Sequence, residues 1–126
     1  MLVVAAVIER NGRILICQRK RGSKHALKWE FPGGKVEPGE QSPEALVREL
    51  REELDIESVA GPLMHVETVR YGNGPELRLE FFHVTEFLGE PQNLEFEQIV
   101  WEDRSALTDY DFLDGDWNFI KKLASP

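Results

Sequence analysis

An Asn11-Gly12 pair separates two apolar runs, Leu2 to Glu9 and Arg13 to Gln18, and commits the opening of the chain to a hairpin. Both residues tolerate the positive φ that a tight turn between right-twisted strands demands. Later elements must therefore pack on or beside two early strands. The first run is too short to cross a bilayer, which takes about 20 apolar residues. No basic residues precede it and a turn follows at once, so it reads as a buried strand of a cytoplasmic protein rather than a leader, with no membrane partner. At 126 residues and 41% hydrophobic, the chain suffices for one domain, residues 1–126, and not for two. Cys17 stands alone, which excludes an internal disulfide or a thiolate zinc site and suits a small buried hydrophobe.

Beyond the hairpin, Arg19-Lys20-Arg21-Gly22-Ser23-Lys24 forms a basic loop, Trp29-Glu30-Phe31 a short strand and Pro32-Gly33-Gly34 a break. A helix is predicted from Ser42 as N-cap and Pro43 as first helical residue through Leu54. Strands follow at Leu63 to Tyr71 and Leu77 to Phe87, around the turn Gly72-Asn73-Gly74-Pro75, and at Gln98 to Glu102. A turn or short helix near Ser105 to Leu107 leads to a terminal helix from about Asp116 to Leu123. The order of elements implies a mixed α/β (α+β) domain, a sheet-centred sandwich with helices on its flanks.

The predicted helix carries an unusual charge pattern. On a wheel of about 100° per residue, Val47, Leu50 and Leu54, with Leu46 at the margin, form the stripe that faces the sheet. Glu49, Glu52 and Glu53 converge on a neighbouring stripe, and Arg48 lies within reach of Glu44 and Glu52. Like charges at these spacings cost about 0.2–0.5 kcal/mol per pair, and anions in the last helical turn about 0.3–1 kcal/mol each. A hard divalent cation turns that repulsion into coordination, because Mg²⁺ and Mn²⁺ prefer several oxygen ligands. Gly33 and Gly34 bring bare backbone close by, and Glu40 adds a carboxylate near the helix start. Fifteen basic against twenty-three acidic residues, a net charge of -8, oppose binding to a nucleic-acid polymer.

Gly34, five residues, Glu40, seven residues and then Arg48-Glu49-Leu50-Arg51-Glu52-Glu53-Leu54-Asp55-Ile56 resemble the box of the Nudix hydrolase family, and Trp29 to Val36 resembles the lead-in of its MutT-like members. Asp55 stands where the box has glycine. The resemblance implies an α/β/α sandwich with a mixed central sheet and hydrolysis of a phosphoanhydride in a small nucleotide, with Mg²⁺ as cofactor and Mn²⁺ as substitute. It implies metal ligation by Glu49, Glu52, Glu53 and the Gly33 carbonyl, with Arg48 orienting the carboxylates and Glu40 supporting them. A further ligand is expected from Glu95, with Glu97 as the fallback, and either Glu49 or Glu95 as proton acceptor. Arg19, Gly34 and Lys35 fall on the phosphate side, whereas Lys20, Arg21 and Lys24 fit a solvated loop equally well.

For the base, Phe31 is expected to provide a stacking wall. Asp116 takes the position of the base reader in this resemblance, and as an acceptor-only carboxylate it suits cytosine, guanine or 8-oxoguanine. Capping the terminal helix is its other reading. The implied activity is a MutT-like pyrophosphohydrolase that converts 8-oxo-dGTP, or CTP and modified dCTP, to the monophosphate and pyrophosphate. Nucleotide-pool sanitation and so DNA repair would be its service. The alternatives are hydrolysis of ADP-sugars or dinucleoside polyphosphates, and a nucleotide-binding module without catalysis. Tyr71 hints weakly at dinucleoside polyphosphates but is better explained as a strand aromatic; His25, His65 and His83 show no ligand spacing. Monomer and homodimer are both compatible with the sequence.

Overall fold

The computed structural model describes residues 1–126 and turns them first through the expected hairpin, with Asn11 at φ 54° and Gly12 at φ 76°. This left-handed pair joins β1 (Leu2–Arg10) to β2 (Arg13–Gln18). Only Glu9↔Ile14 and Arg10↔Arg13 pair across it, so the two strands part almost at once. They part because β1 finds other neighbours. Its length runs parallel to β7 (Glu76–Val84), and its first half pairs antiparallel with β4 (Gly33–Lys35). Gly33-Gly34, expected as a break, is thus a short strand whose backbone fills the space the hairpin opens.

The remaining strands extend this mixed sheet. β2 takes β3 (Trp29–Glu30) and β9 (Gln98–Asp103), while β6 (Leu63–Arg70) pairs antiparallel with β7. β5 (Glu57–Val59) and β8 (Glu86–Leu88) form a separate two-stranded sheet. Alternation along β1 builds two cores. Val4, Ala6 and Ile8 join Leu46, Leu50 and Leu54 of α1 (Ser42–Leu54) on one face. Val7 joins Phe119, Ile120 and Leu123 of α2 (Trp117–Ala124) on the other. The result is the α/β/α sandwich with a mixed central sheet. Cys17 lies fully inside the first core. Neither helix is long and apolar enough to cross a membrane.

Helix α1 departs from expectation at its start. Gln41, not Ser42, is the N-cap, and the Gln41 N–H donates to Glu44 Oε1 at 3.0 Å. The Ser42 hydroxyl turns away to donate to Glu80 on β7 at 2.6 Å. Pro43 falls one place into the helix, and the buried stripe runs through Ala45, Leu46, Leu50 and Leu54, with Val47 on its shoulder. At the other end Asp55 adopts φ 54°, ψ 42°, and its N–H donates to the Arg51 carbonyl at 3.1 Å. Asp therefore makes the left-handed stop that glycine usually makes.

Candidate active site

The exit from α1 places Glu49 and Glu53 toward β4 and leaves Glu52 toward solvent. Glu53 accepts the Gly33 N–H at 2.9 Å. Its burial outweighs that bond, and with Glu49, Glu30 and Glu95 nearby its carboxyl is pushed up to about 9. Glu49 lies against Gly34, where a Cβ would fall 2.5 Å from its carboxyl carbon. Burial raises this carboxyl too, against the pull of Arg48. Gly34 is thus the contact that only a residue without a side chain permits.

Arg48 holds the cluster together. Its Nε and Nη2 donate to the two Glu40 oxygens at 2.8 and 3.0 Å, and Nη2 also donates to the Lys35 carbonyl at 3.1 Å. Nη1 reaches Glu49 at 3.0 Å and Glu52 at 3.3 Å. Glu44, expected as a partner, instead caps the helix. The guanidinium, with the Glu37 N–H, holds the Glu40 carboxyl down at about 2. As arranged here, no three acidic side chains stand close enough to grip one ion, because Arg48 stands among them.

The donor set nevertheless fits a hard divalent cation. Glu53 is a half-buried carboxyl with a single hydrogen bond, and Glu49 and Glu52 offer further carboxyl oxygens that a rotation frees from one guanidinium. A further carboxylate stands on the loop before β9. Leu94 N–H donates to the Glu53 carbonyl at 3.1 Å and Gln92 N–H to the Leu54 carbonyl at 2.8 Å, which seats the loop on the end of α1. Asn93 braces it through both the N–H and the carbonyl of Phe96. Glu95 is left exposed and close enough for its charge to act on Glu53. Glu97 points elsewhere, accepting the Arg21 N–H at 3.3 Å.

From Glu53, Gly33 and Gly34 a cavity of about 490 Å³ extends along β1 to Asp116. Phe31, 4% exposed, lies in its wall among Phe81, Phe112 and Phe119. Asp116 is 5% exposed, lines the cavity, and makes no side-chain hydrogen bond, its cap position notwithstanding. Burial pushes its carboxyl well above the usual range, with Glu30 adding repulsion. Burial thus favours the protonated form of this carboxyl, in which it would donate as well as accept.

Glu30 lines the cavity with Glu53 and Asp116, near enough for its charge to raise both. Arg19, expected on the phosphate side, directs Nη1 to both Glu30 oxygens at 3.2 Å and Nε to the Lys24 carbonyl at 2.7 Å, while still lining the cavity with Lys35. Sequence reasoning missed Glu30, His25 and Tyr71 as cavity residues. The Tyr71 hydroxyl accepts the Gly115 N–H at 2.9 Å, and its ring lies 5.0 Å from that of His25. The only signal was Glu30 itself, an acid between two aromatics in a strand that otherwise belongs to the core.

Comparison with known proteins places this geometry. A family model described as NUDIX domain matches residues 1–123. The CTP pyrophosphohydrolase of Escherichia coli is 48% identical over 99 residues, covering 79% of this chain and 73% of that protein. The 8-oxo-dGTP diphosphatase of Haemophilus influenzae is 36% identical, with 98% and 91% covered. Among solved structures, a MutT NUDIX hydrolase from Burkholderia pseudomallei superposes with a TM-score of 0.83 at 28% identity, covering 95% of each chain.

Proposed function

The chain belongs to the NUDIX family, and from that premise we propose that it is a pyrophosphohydrolase that cleaves a nucleoside triphosphate to the monophosphate and pyrophosphate. One observation carries the reading: two carboxyls of opposite use, the half-buried Glu53 and the buried Asp116, open into the same cavity. The first faces the phosphates and the second the base. CTP, modified dCTP and 8-oxo-dGTP are the substrates, in keeping with the names of the relatives. A single domain spanning residues 1–126 does this work.

Like other Nudix hydrolases the enzyme needs a divalent metal, and the all-oxygen donors favour Mg²⁺, with Mn²⁺ in substitution. Glu49, Glu52, Glu53, Glu95 and the Gly33 carbonyl would hold it, and when bound it neutralises triphosphate charge and makes water more acidic. Arg48 sets the carboxylates by its fork to Glu40. Lys35 and Arg19 meet the phosphates, Arg19 by exchanging Glu30 for a phosphate oxygen. Water attacks phosphorus in line with the leaving pyrophosphate or nucleotide oxygen, and positioning supplies most of the acceleration. Its proton passes to Glu49 or Glu95. Burial raises the Glu49 carboxyl, the direction that makes a stronger base; turnover retained in Glu95→Gln assigns the step to it.

At the far end the base lies along Phe31, with its hydrogen-bonding edge on Asp116. The proton-bearing carboxyl donates to cytosine N3 and accepts from the exocyclic amine. The same carboxyl reads guanine or 8-oxoguanine through O6 and N1–H. Incubation with normal and oxidised nucleoside triphosphates and Mg²⁺, followed by product identification, tests the proposal. Absence of pyrophosphate from every member of that panel refutes it.

A further inference from the structure

Resting on the assignment of Asp116 as base reader, we propose that Tyr71 is a positioning residue for base recognition: its hydroxyl, by accepting the Gly115 N–H, fixes the turn that aims Asp116 into the cavity. Asp116 has no side-chain partner of its own, so its direction is set by the backbone that carries it. That backbone is the single 3-10 turn Asp114–Asp116. On one side it is moored to the sheet, where Leu113 N–H donates to the Trp29 carbonyl at 3.0 Å and Trp29 N–H to the Asp111 carbonyl at 2.9 Å. Inside the turn, Asp116 N–H returns to the Leu113 carbonyl at 3.0 Å. The Gly115 N–H is an orphan donor of the turn's own start, and it reaches Tyr71.

Tyr71 is itself well seated. It opens the turn after β6, where the Gly74 N–H donates to its carbonyl at 3.0 Å and Arg70 Nη1 donates to the Gly74 carbonyl at 2.8 Å. His25 packs on the ring from the basic loop. The approach of hydroxyl to turn is close enough that a Cβ on Gly115 would fall 2.6 Å from the Tyr71 oxygen, 3.1 Å from Val69 Cγ1 and 3.2 Å from Leu79 Cδ1. Glycine at 115 and a hydroxyl at 71 are therefore one device, made from two parts 44 residues apart in sequence. Neither lies near Arg48 or the acids it binds, so the device acts on recognition of the base and leaves the hydrolytic end to α1.

The test compares kcat and KM for dCTP, dUTP, dGTP and 8-oxo-dGTP with Mg²⁺ across Tyr71→Phe, Gly115→Ala, the double variant and Asp116→Ala. Tyr71→Phe should lower discrimination among bases by about tenfold, mostly through KM, the scale of one buried hydrogen bond. Gly115→Ala should lose more, and the double variant should recover toward Tyr71→Phe because the oxygen that the new Cβ strikes is gone. Slowed exchange of the Gly115 amide in the parent and fast exchange in Tyr71→Phe would support the same tie independently of turnover. Unchanged discrimination in Tyr71→Phe, with Asp116→Ala indiscriminate, overturns the tether alone. Unchanged discrimination in Asp116→Ala refutes the base-reader assignment on which it rests.

Discussion

Replacing Glu53 by Gln should make the metal-free protein more stable while ending its activity. Glu53 keeps one hydrogen bond, from Gly33 N–H, and is otherwise buried among Glu49, Glu30 and Glu95. Its carboxyl titrates near 4.5 when unfolded and at about 9 in the fold. A carboxyl raised by folding leaves stability intact below the unfolded value and removes it as pH climbs toward the folded one. At pH 7 the chain has crossed about 2.5 pH units of that window, a cost of about 3 kcal/mol at 1.36 kcal/mol per unit. Glutamine keeps the Gly33 bond and never ionises, so Glu53→Gln should gain about 10 °C in Tm at pH 7 for a chain of this size. The advantage should vanish near pH 4.5, grow as pH rises and level off near pH 9. Thermal melts of both proteins in EDTA across that range measure it. With Mg²⁺ added, the parent should recover stability and Glu53→Gln should not, and Mg²⁺-dependent hydrolysis should be lost. Equal melting temperatures at pH 8 in EDTA would show that Glu53 is not the buried acid inferred here.

Other expectations are independent of that residue. Gly34→Ala sets a Cβ 2.5 Å from the Glu49 carboxyl carbon, so the carboxyl must move; hydrolysis should fall by about 100-fold with the melt little changed. Glu40→Gln breaks the charged fork to Arg48 and should cost about tenfold in turnover or metal affinity, read by Mg²⁺ titration of the rate. Asp116 gives cytosine two hydrogen bonds when protonated and one when ionised, whereas guanine keeps two in either state. The ratio of kcat/KM for dCTP over 8-oxo-dGTP should therefore fall about five- to tenfold as pH rises through the elevated Asp116 range, and stay flat in Asp116→Asn.

What could be read from the sequence divides by the distance over which each feature is decided. Glu49 and Glu53 share a helix face that helical geometry alone predicts, whereas Glu52, expected on the same stripe, turns to solvent. The Asn11-Gly12 turn was legible from local geometry too. Arg48 was placed correctly beside Glu52, yet its firmest partner is Glu40, across a loop whose path spacing does not encode. The Gly33–Lys35 strand was missed because glycine carries no strand preference, and its pairing with Val3 to Ala5 arises only once β1 leaves β2. Ser42 has every local qualification for a helix cap; a carboxylate 38 residues away on β7 takes its hydroxyl. Glu30, Tyr71 and Asp116 meet in the cavity from three separate segments, and no local rule brings them together.

The net charge of -8 gains a different meaning from these placements. Many acids of the surface are matched pair by pair, as in Glu90 with Arg10 and Glu57 with Arg51. The acids of the cavity are not. Glu53 and Asp116 carry no cationic partner, and Glu30 has only the Arg19 that a phosphate would compete for. A polyphosphate entering such a cavity meets carboxyls whose protonated form burial favours. Burial thus spares the phosphate a wall of negative charge at one end and preserves a hydrogen-bond donor for the base at the other. The same desolvation serves two chemistries, and the stability lost at Glu53 between pH 4.5 and about 9 is the measurable cost of holding that acid ready for a cation.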